Sequence, residues 1–253
     1  MDRKHVGATL IVISLLIFGF SLVQFPPEEN TELNNLQPDN SSPESGLRAA
    51  LIDSLYVSNP NNQFTSNLTV TLNKAGFKVD VYQGRKVTVD FLKALPDHYD
   101  LLVLRMHSAV HSKTLGLYLF TAEPYDQEKH VEEQYFHLVK KAVAFNDTQP
   151  VFAVNSWFIK KCMNRMFNGT LVIVMGCDGT CDTSVAEEFF RQGAGGYIGW
   201  NGLVVPMYSD QAILRLIINI YFENFTLQQA VEKTNEQLNP DPSYNSTLEL
   251  LSP

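Results

Sequence analysis

The chain has 253 residues, 45% of them hydrophobic and 18% charged, with 19 Lys and Arg against 27 Asp and Glu for a formal net charge of -8. That balance, with no block of Lys or Arg, argues against nucleic acid or an anionic membrane surface as partner. Three cysteines are too few for a disulfide scaffold, and in an oxidising compartment an odd number leaves one thiol free or bonded to another chain.

Residues 1–5 carry Arg3 and Lys4, and residues 6–23 that follow contain no charge. Eighteen such residues rise about 27 Å as a helix, close to the roughly 30 Å of a bilayer's hydrocarbon core. The apolar run is longer than the roughly 7 to 15 residues of a signal peptide, and no A-x-A-like cleavage site follows. The expectation is therefore one uncleaved transmembrane signal anchor. Arg3 and Lys4 then keep the amino terminus cytoplasmic and send the rest of the chain outside. N-x-[ST] sequons at Asn40, Asn67, Asn146, Asn168, Asn224 and Asn245 agree with that side of the membrane.

Residues 24–46, with four prolines, five acids and almost nothing apolar, cannot bury enough surface to fold. They read as a disordered tether. Residues 47–253 are then the folded domain, long enough for one buried core.

Within it, strand and helix patterns alternate. Residues 47–56 open with an apolar run that reads as a strand ending near Asp53. Phe64, Leu68, Leu72 and Ala75 fall at helical spacing, closed by Gly76. Residues 77–82 alternate as a half-exposed strand, 88–95 form a short helix stopped by Pro96, and 99–106 form a buried strand ending at His107. Residues 115–120 read as another strand. Residues 126–144, with Glu128, Glu132 and Glu133 early and Lys140 and Lys141 late, predict a long helix with charges matched to its dipole.

Residues 171–175, L-V-I-V-M, followed by Gly176, read as a strand buried on both faces, and it delivers Cys177 to its carboxyl end. A helix over 182–192 follows, with Asp182 or Thr183 as cap and Gly193 as stop. A strand at 197–200 and helices at 211–222 and 227–238 complete the domain. Alternating strands and helices give an α/β fold, a three-layer αβα sandwich with a mostly parallel central sheet. No internal repeat and no Gly-rich phosphate loop occurs, so nucleotide binding has no support; no cofactor is expected.

Two buried strands thus end in His107 and Cys177. In a parallel sheet both stand on the edge where ligands bind. A histidine beside a thiol takes its proton or stabilises the thiolate, as nucleophilic catalysis by cysteine requires. The alternative is a histidine capping one strand by a hydrogen bond and a small buried cysteine ending the other.

The motifs M-H-S-A-V-H, M-G-C-D-G-T-C and A-E-E-F-F-R-Q-G-A-G-G-Y-I-G-W-N-G resemble the caspase-hemoglobinase fold of clan CD cysteine peptidases, nearest to its gingipain-like and CHAT-like branch. The resemblance covers most of residues 47–201. It implies a His107 and Cys177 dyad that hydrolyses a peptide or protein substrate, with backbone N–H groups near Ser108 and Cys177 as oxyanion donors. The chain departs from the pattern at Ser108, where the family usually has Gly. It departs again at Met175 and Gly176, where Arg-specific relatives often carry an acid, so no P1 preference is assigned. Cys181 is placed to bridge Cys177 and silence it; equally, Cys162 and Cys181 are placed to bridge each other. An inactive, binding or scaffolding relative is the competing class.

Other residues have weaker claims. His107 and His111 would share a helical face as metal ligands, but position 108 lacks the glutamate of H-E-x-x-H, and no metal is expected. Trp200 and Asn201 are candidates for lining a substrate pocket, with core packing as the alternative for Trp200. Asp210 is a helix cap or a pocket acid.

Overall fold

The computed structural model describes residues 46–96, 98–112, 116–144, 149–163 and 167–253. The expected anchor at 6–23 and nearly all of the tether lie outside the described residues. Among the described residues no helix is long and apolar enough to cross a membrane.

The chain runs β1 (Arg48–Asp53), α1 (Asn62–Lys74), β2 (Lys78–Gln83), α2 (Val89–Lys93), β3 (Leu101–Arg105), β4 (Ser108–Val110), β5 (Leu117–Pro124), α3 (Val131–Tyr135) and β6 (Val139–Ala142). It continues through β7 (Val151–Asn155), α4 (Ser156–Cys162), β8 (Leu171–Val174), α5 (Ser184–Arg191), β9 (Gly196–Trp200), α6 (Pro206–Tyr221), α7 (Leu227–Leu238) and β10 (Leu248–Leu251). Six strands form the main sheet in the order β10-β9-β8-β3-β1-β2. All neighbours pair in parallel except β10, which runs antiparallel to β9.

The strands read as unbroken apolar runs because both faces of the sheet are covered. Alternate residues of β1 go to opposite cores. Ala49 and Leu51 pack with Phe64, Leu68 and Leu72 of α1, Ile213 and Leu216 of α6 and Val231 of α7. Ala50 and Ile52 face the core built by Leu92 of α2, Phe158 of α4 and Phe189 of α5. Between β1 and β3 the strand order reverses direction, and the crevice outside the carboxyl ends there is where open α/β sheets take their ligands.

Two expectations are corrected. The expected single sheet has a companion, a four-stranded antiparallel sheet in the order β4-β5-β7-β6. Leu117, Leu119, Phe152 and Val154 from one face of that sheet join the core shared with α2, α4 and α5. The strand expected at 115–120 belongs to this sheet and runs on to Pro124 as β5; residue 115 lies outside the described residues.

The long helix expected at 126–144 is a loop, the five-residue α3 and the edge strand β6. His130 and His137, on either side of α3, take left-handed backbone angles (φ 50° and 56°), which end a right-handed helix. The charge gradient that suggested a dipole has other partners: Glu133 pairs with Lys93 of α2, while Lys140 and Lys141 lie over the rings of Tyr118 and Tyr125.

Candidate active site at the strand ends

One buried residue, Met106, separates β3 from His107, and the half-buried imidazole Nε2 lies 3.4 Å from the Ser58 hydroxyl. The His107 carbonyl accepts from the Phe120 N–H at 2.8 Å, which hooks the end of β3 onto the second sheet. Ser108 sits opposite Leu119 in the pair that exchanges no hydrogen bonds of its own, so its N–H points away from β5. It points toward the other strand end. A Cβ placed on Gly176 would stand 2.8 Å from the Ser108 nitrogen and closer still to Ser108 Oγ and the Met106 carbonyl.

The absence of a side chain at Gly176 is therefore what lets the two strand tips touch. Ser108, 5% exposed, fills the space and donates from Oγ to the Cys177 carbonyl at 2.6 Å. Beyond β8, the Met175 N–H donates to the Leu104 carbonyl, so the parallel pairing with β3 persists almost to Cys177.

Cys177 and His107 line one small cavity with Leu55, Arg105, Val204 and Asp210. The half-buried thiol engages the main chain of Val204: Sγ donates to its carbonyl at 3.8 Å and accepts from its N–H at 3.5 Å. Burial pushes the Cys177 pKa up; the Val204 N–H opposes the shift and the charges of Asp178 and Asp241 add to it.

Loop 201–205, which carries Val204, is held from the C-terminal side. Asp241, 2% exposed, accepts from the N–H groups of Val205, Ser243 and Tyr244 at 2.9, 2.8 and 2.9 Å, and Ser246 donates to the Leu203 carbonyl.

The cavity floor is charged. Arg105 of β3, fully buried, donates to both Asp210 oxygens at 2.7 and 2.9 Å, to Asp53 at 3.0 Å and to the Asn59 carbonyl at 3.0 Å. Asn61 donates to Asp210 as well. Burial pushes the Asp53 carboxyl above its ordinary range, and Arg105 pulls it back only in part. One guanidinium thus meets two buried carboxylates, and it and Asp210 line the same cavity as the thiol. The sequence reading did not find this cluster; its one visible trace was a single charge ending each of two apolar runs, Asp53 in A-L-I-D and Arg105 in L-V-L-R.

Asp210 is not a cap, because α6 starts at Pro206 with Val205 as its N-cap. It belongs to the cavity.

Trp200 is in the core, 1% exposed, with its indole N–H donating to Ser209 Oγ. Asn201 is exposed and spends its side chain on Thr247 and Glu249, tying β10 to β9. Neither lines the His107 and Cys177 cavity.

His107 and His111 flank β4, an extended strand, so four residues carry them roughly 13 Å apart rather than onto one helical face. No group of metal-ligating side chains occurs among the described residues.

Neither of the two alternative bridges to Cys181 is present: Cys162, Cys177 and Cys181 are free thiols. Cys162 ends α4, where its thiol feels the charges of Lys93, Glu133 and Glu132, and the exposed Cys181 thiol turns to the Asp178 carboxylate at 3.7 Å.

His107 also lines a second cleft, with Val57, Ser58, Arg85, Phe120, Thr121 and Val151 among others. His107 is common to both. The chain matches no family model, and no curated protein aligns with it significantly.

Proposed function

We propose that this domain is a membrane-anchored, extracytoplasmic cysteine peptidase of the caspase-like, gingipain-related kind, in which Cys177 attacks the scissile carbonyl and His107 serves as acid and base. The observation that carries the reading is the meeting of two strand tips around one cavity, with His107 on one tip and Cys177 on the other. The three-layer reading of the sheet and its helices is the fold such a site needs.

In this reading His107 takes the Cys177 proton as the sulfur attacks the carbonyl carbon, and returns it to the leaving amine. The Ser108 N–H, turned from β5 toward Gly176, and the Cys177 N–H supply the oxyanion donors. The Arg105, Asp53 and Asp210 cluster touches no reacting atom; it holds the cavity floor and fixes the end of β3 two residues before His107.

One observation favours a second reading, a silent binding domain that kept the fold. The sulfur is occupied by the Val204 main chain, and burial pushes its pKa up.

Turnover of a diverse peptide library under reducing conditions separates the two. The peptidase reading expects hydrolysis by the wild-type chain and its loss in Cys177→Ala and in His107→Ala, with the double variant no worse than either, since residues acting as one unit are not additive. Unchanged hydrolysis in Cys177→Ala refutes it, and no hydrolysis by the wild type supports the silent domain.

A further inference from the structure

Four of the sequons fall on described residues, and the fold treats them unequally. Asn168, Asn224 and Asn245 are all exposed, and all lie outside the helices and strands. Asn168 precedes Gly169 (φ 76°) in the tight turn closed by the Thr170 N–H on the Phe167 carbonyl. Asn224 (φ 53°) stands in the bend between α6 and α7, and Asn245 (φ 58°) follows the turn closed by its own N–H on the Asp241 carbonyl. Asn67 differs: it is half-buried within α1, and its side-chain carbonyl accepts from Gln63 at 2.7 Å.

We infer that Asn168, Asn224 and Asn245 are sites of N-linked glycosylation; the inference rests on the extracytoplasmic placement of the domain. The side-chain amide nitrogen attacks the anomeric carbon of an oligosaccharide carried on a polyprenyl diphosphate and displaces the diphosphate. The nitrogen–carbon bond to the sugar forms, the sugar's bond to the diphosphate oxygen breaks, and the amide proton leaves with the diphosphate.

The positions suit a domain that keeps its cavity open. Asn168 lies before β8 and Cys177 after it, so the two stand at opposite edges of the sheet. Asn224 follows α6, whose first turns supply Ser209 and Asp210 to the cavity, and the helix carries it roughly 20 Å away. Both glycans then stand at the edge where the chain enters β1. Asn224 has its sequon partner Thr226 exposed as the cap of α7. Thr170 is buried against the Tyr99 carbonyl, so Asn168 receives its glycan before β8 docks beside β3, whereas Asn67 is held within α1, a helix that forms locally and early. Asn245 lies closer to the cavity, next to Ser246, whose hydroxyl holds the Leu203 carbonyl.

The test is glycopeptide mapping of the full chain made in a secreting cell that holds such a donor, beside protease treatment of the intact cells. A digested domain with added mass on the peptides of Asn168, Asn224 and Asn245, each lost separately in the Asn→Gln variant, is the expected result. Asn67→Gln leaves the map unchanged. A digested domain with any of those three peptides bare, or with added mass on Asn67, overturns the inference and leaves the location standing. A domain protected from the protease overturns both.

Discussion

The Ser108 hydroxyl donates to the Cys177 carbonyl over 2.6 Å, joining the strand that delivers His107 to the strand that delivers Cys177. Where a glycine would leave these tips to touch through backbone alone, this chain spends a side chain on the joint. Ser108→Ala leaves that carbonyl without its donor, at a cost of about 1–3 kcal/mol. A lowered urea midpoint with an unchanged slope is the expected measurement; an unchanged midpoint shows the bond contributes nothing.

Gly176→Ala is expected to cost about 1–3 kcal/mol, because the added methyl meets Ser108 and the Met106 carbonyl at once. Combining it with Ser108→Ala relieves only one of those clashes. The double variant therefore stays less stable than the wild type, and recovery to wild-type stability would show that the Met106 backbone yields.

The Cys177 thiol is shielded by Val204, whose loop hangs on Asp241. Asp241→Asn replaces one of the two accepting carboxylate oxygens by an amide and removes a charge that raises the thiol's pKa. Alkylation of Cys177 by iodoacetamide at pH 7, followed by mass, is expected to speed up several-fold. An unchanged rate means that the loop does not guard the sulfur.

Stability should fall at alkaline pH through the same group. Its folded pKa is raised, so the neutral thiol's contribution is fully present below the unfolded value of about 8.5 and is lost as pH rises through the folded value. Melting temperatures between pH 7 and 10 should decline less in Cys177→Ala than in the wild type. Parallel declines would assign the loss to other groups.

Arg105→Ala strips two buried carboxylates of their cation and is expected to cost about 3–5 kcal/mol. Arg105→Met in an Asp53→Asn, Asp210→Asn background removes the charges together and should recover much of that loss in chemical denaturation. Equal losses in both would indicate that packing, not charge, makes the site.

The parallel half of the fold was legible because its strands are continuous apolar runs separated by helices with visible stops, such as Gly76, Pro96 and Gly193. His107 and Cys177 were legible for the same reason, each ending such a run. The second sheet was not. Its β6, V-K-K-A, is too short to show its period, and the acids before it form a gradient that a helix would also produce. The Arg105 cluster was hidden by distance along the chain, since Asp53 and Asp210 reach it from 52 and 105 residues away. Asp210 fits a helix cap until the helix is seen to begin at Pro206.

The dependence of Val204 on Asp241 also orders events during synthesis. A ribosome adding roughly 5–20 residues per second completes β8 and its cysteine several seconds before Asp241 is made. For that interval the newborn domain carries its sulfur without its cover, open to oxidants and to other nascent chains. The window closes when Asp241 draws the Val205 N–H into place.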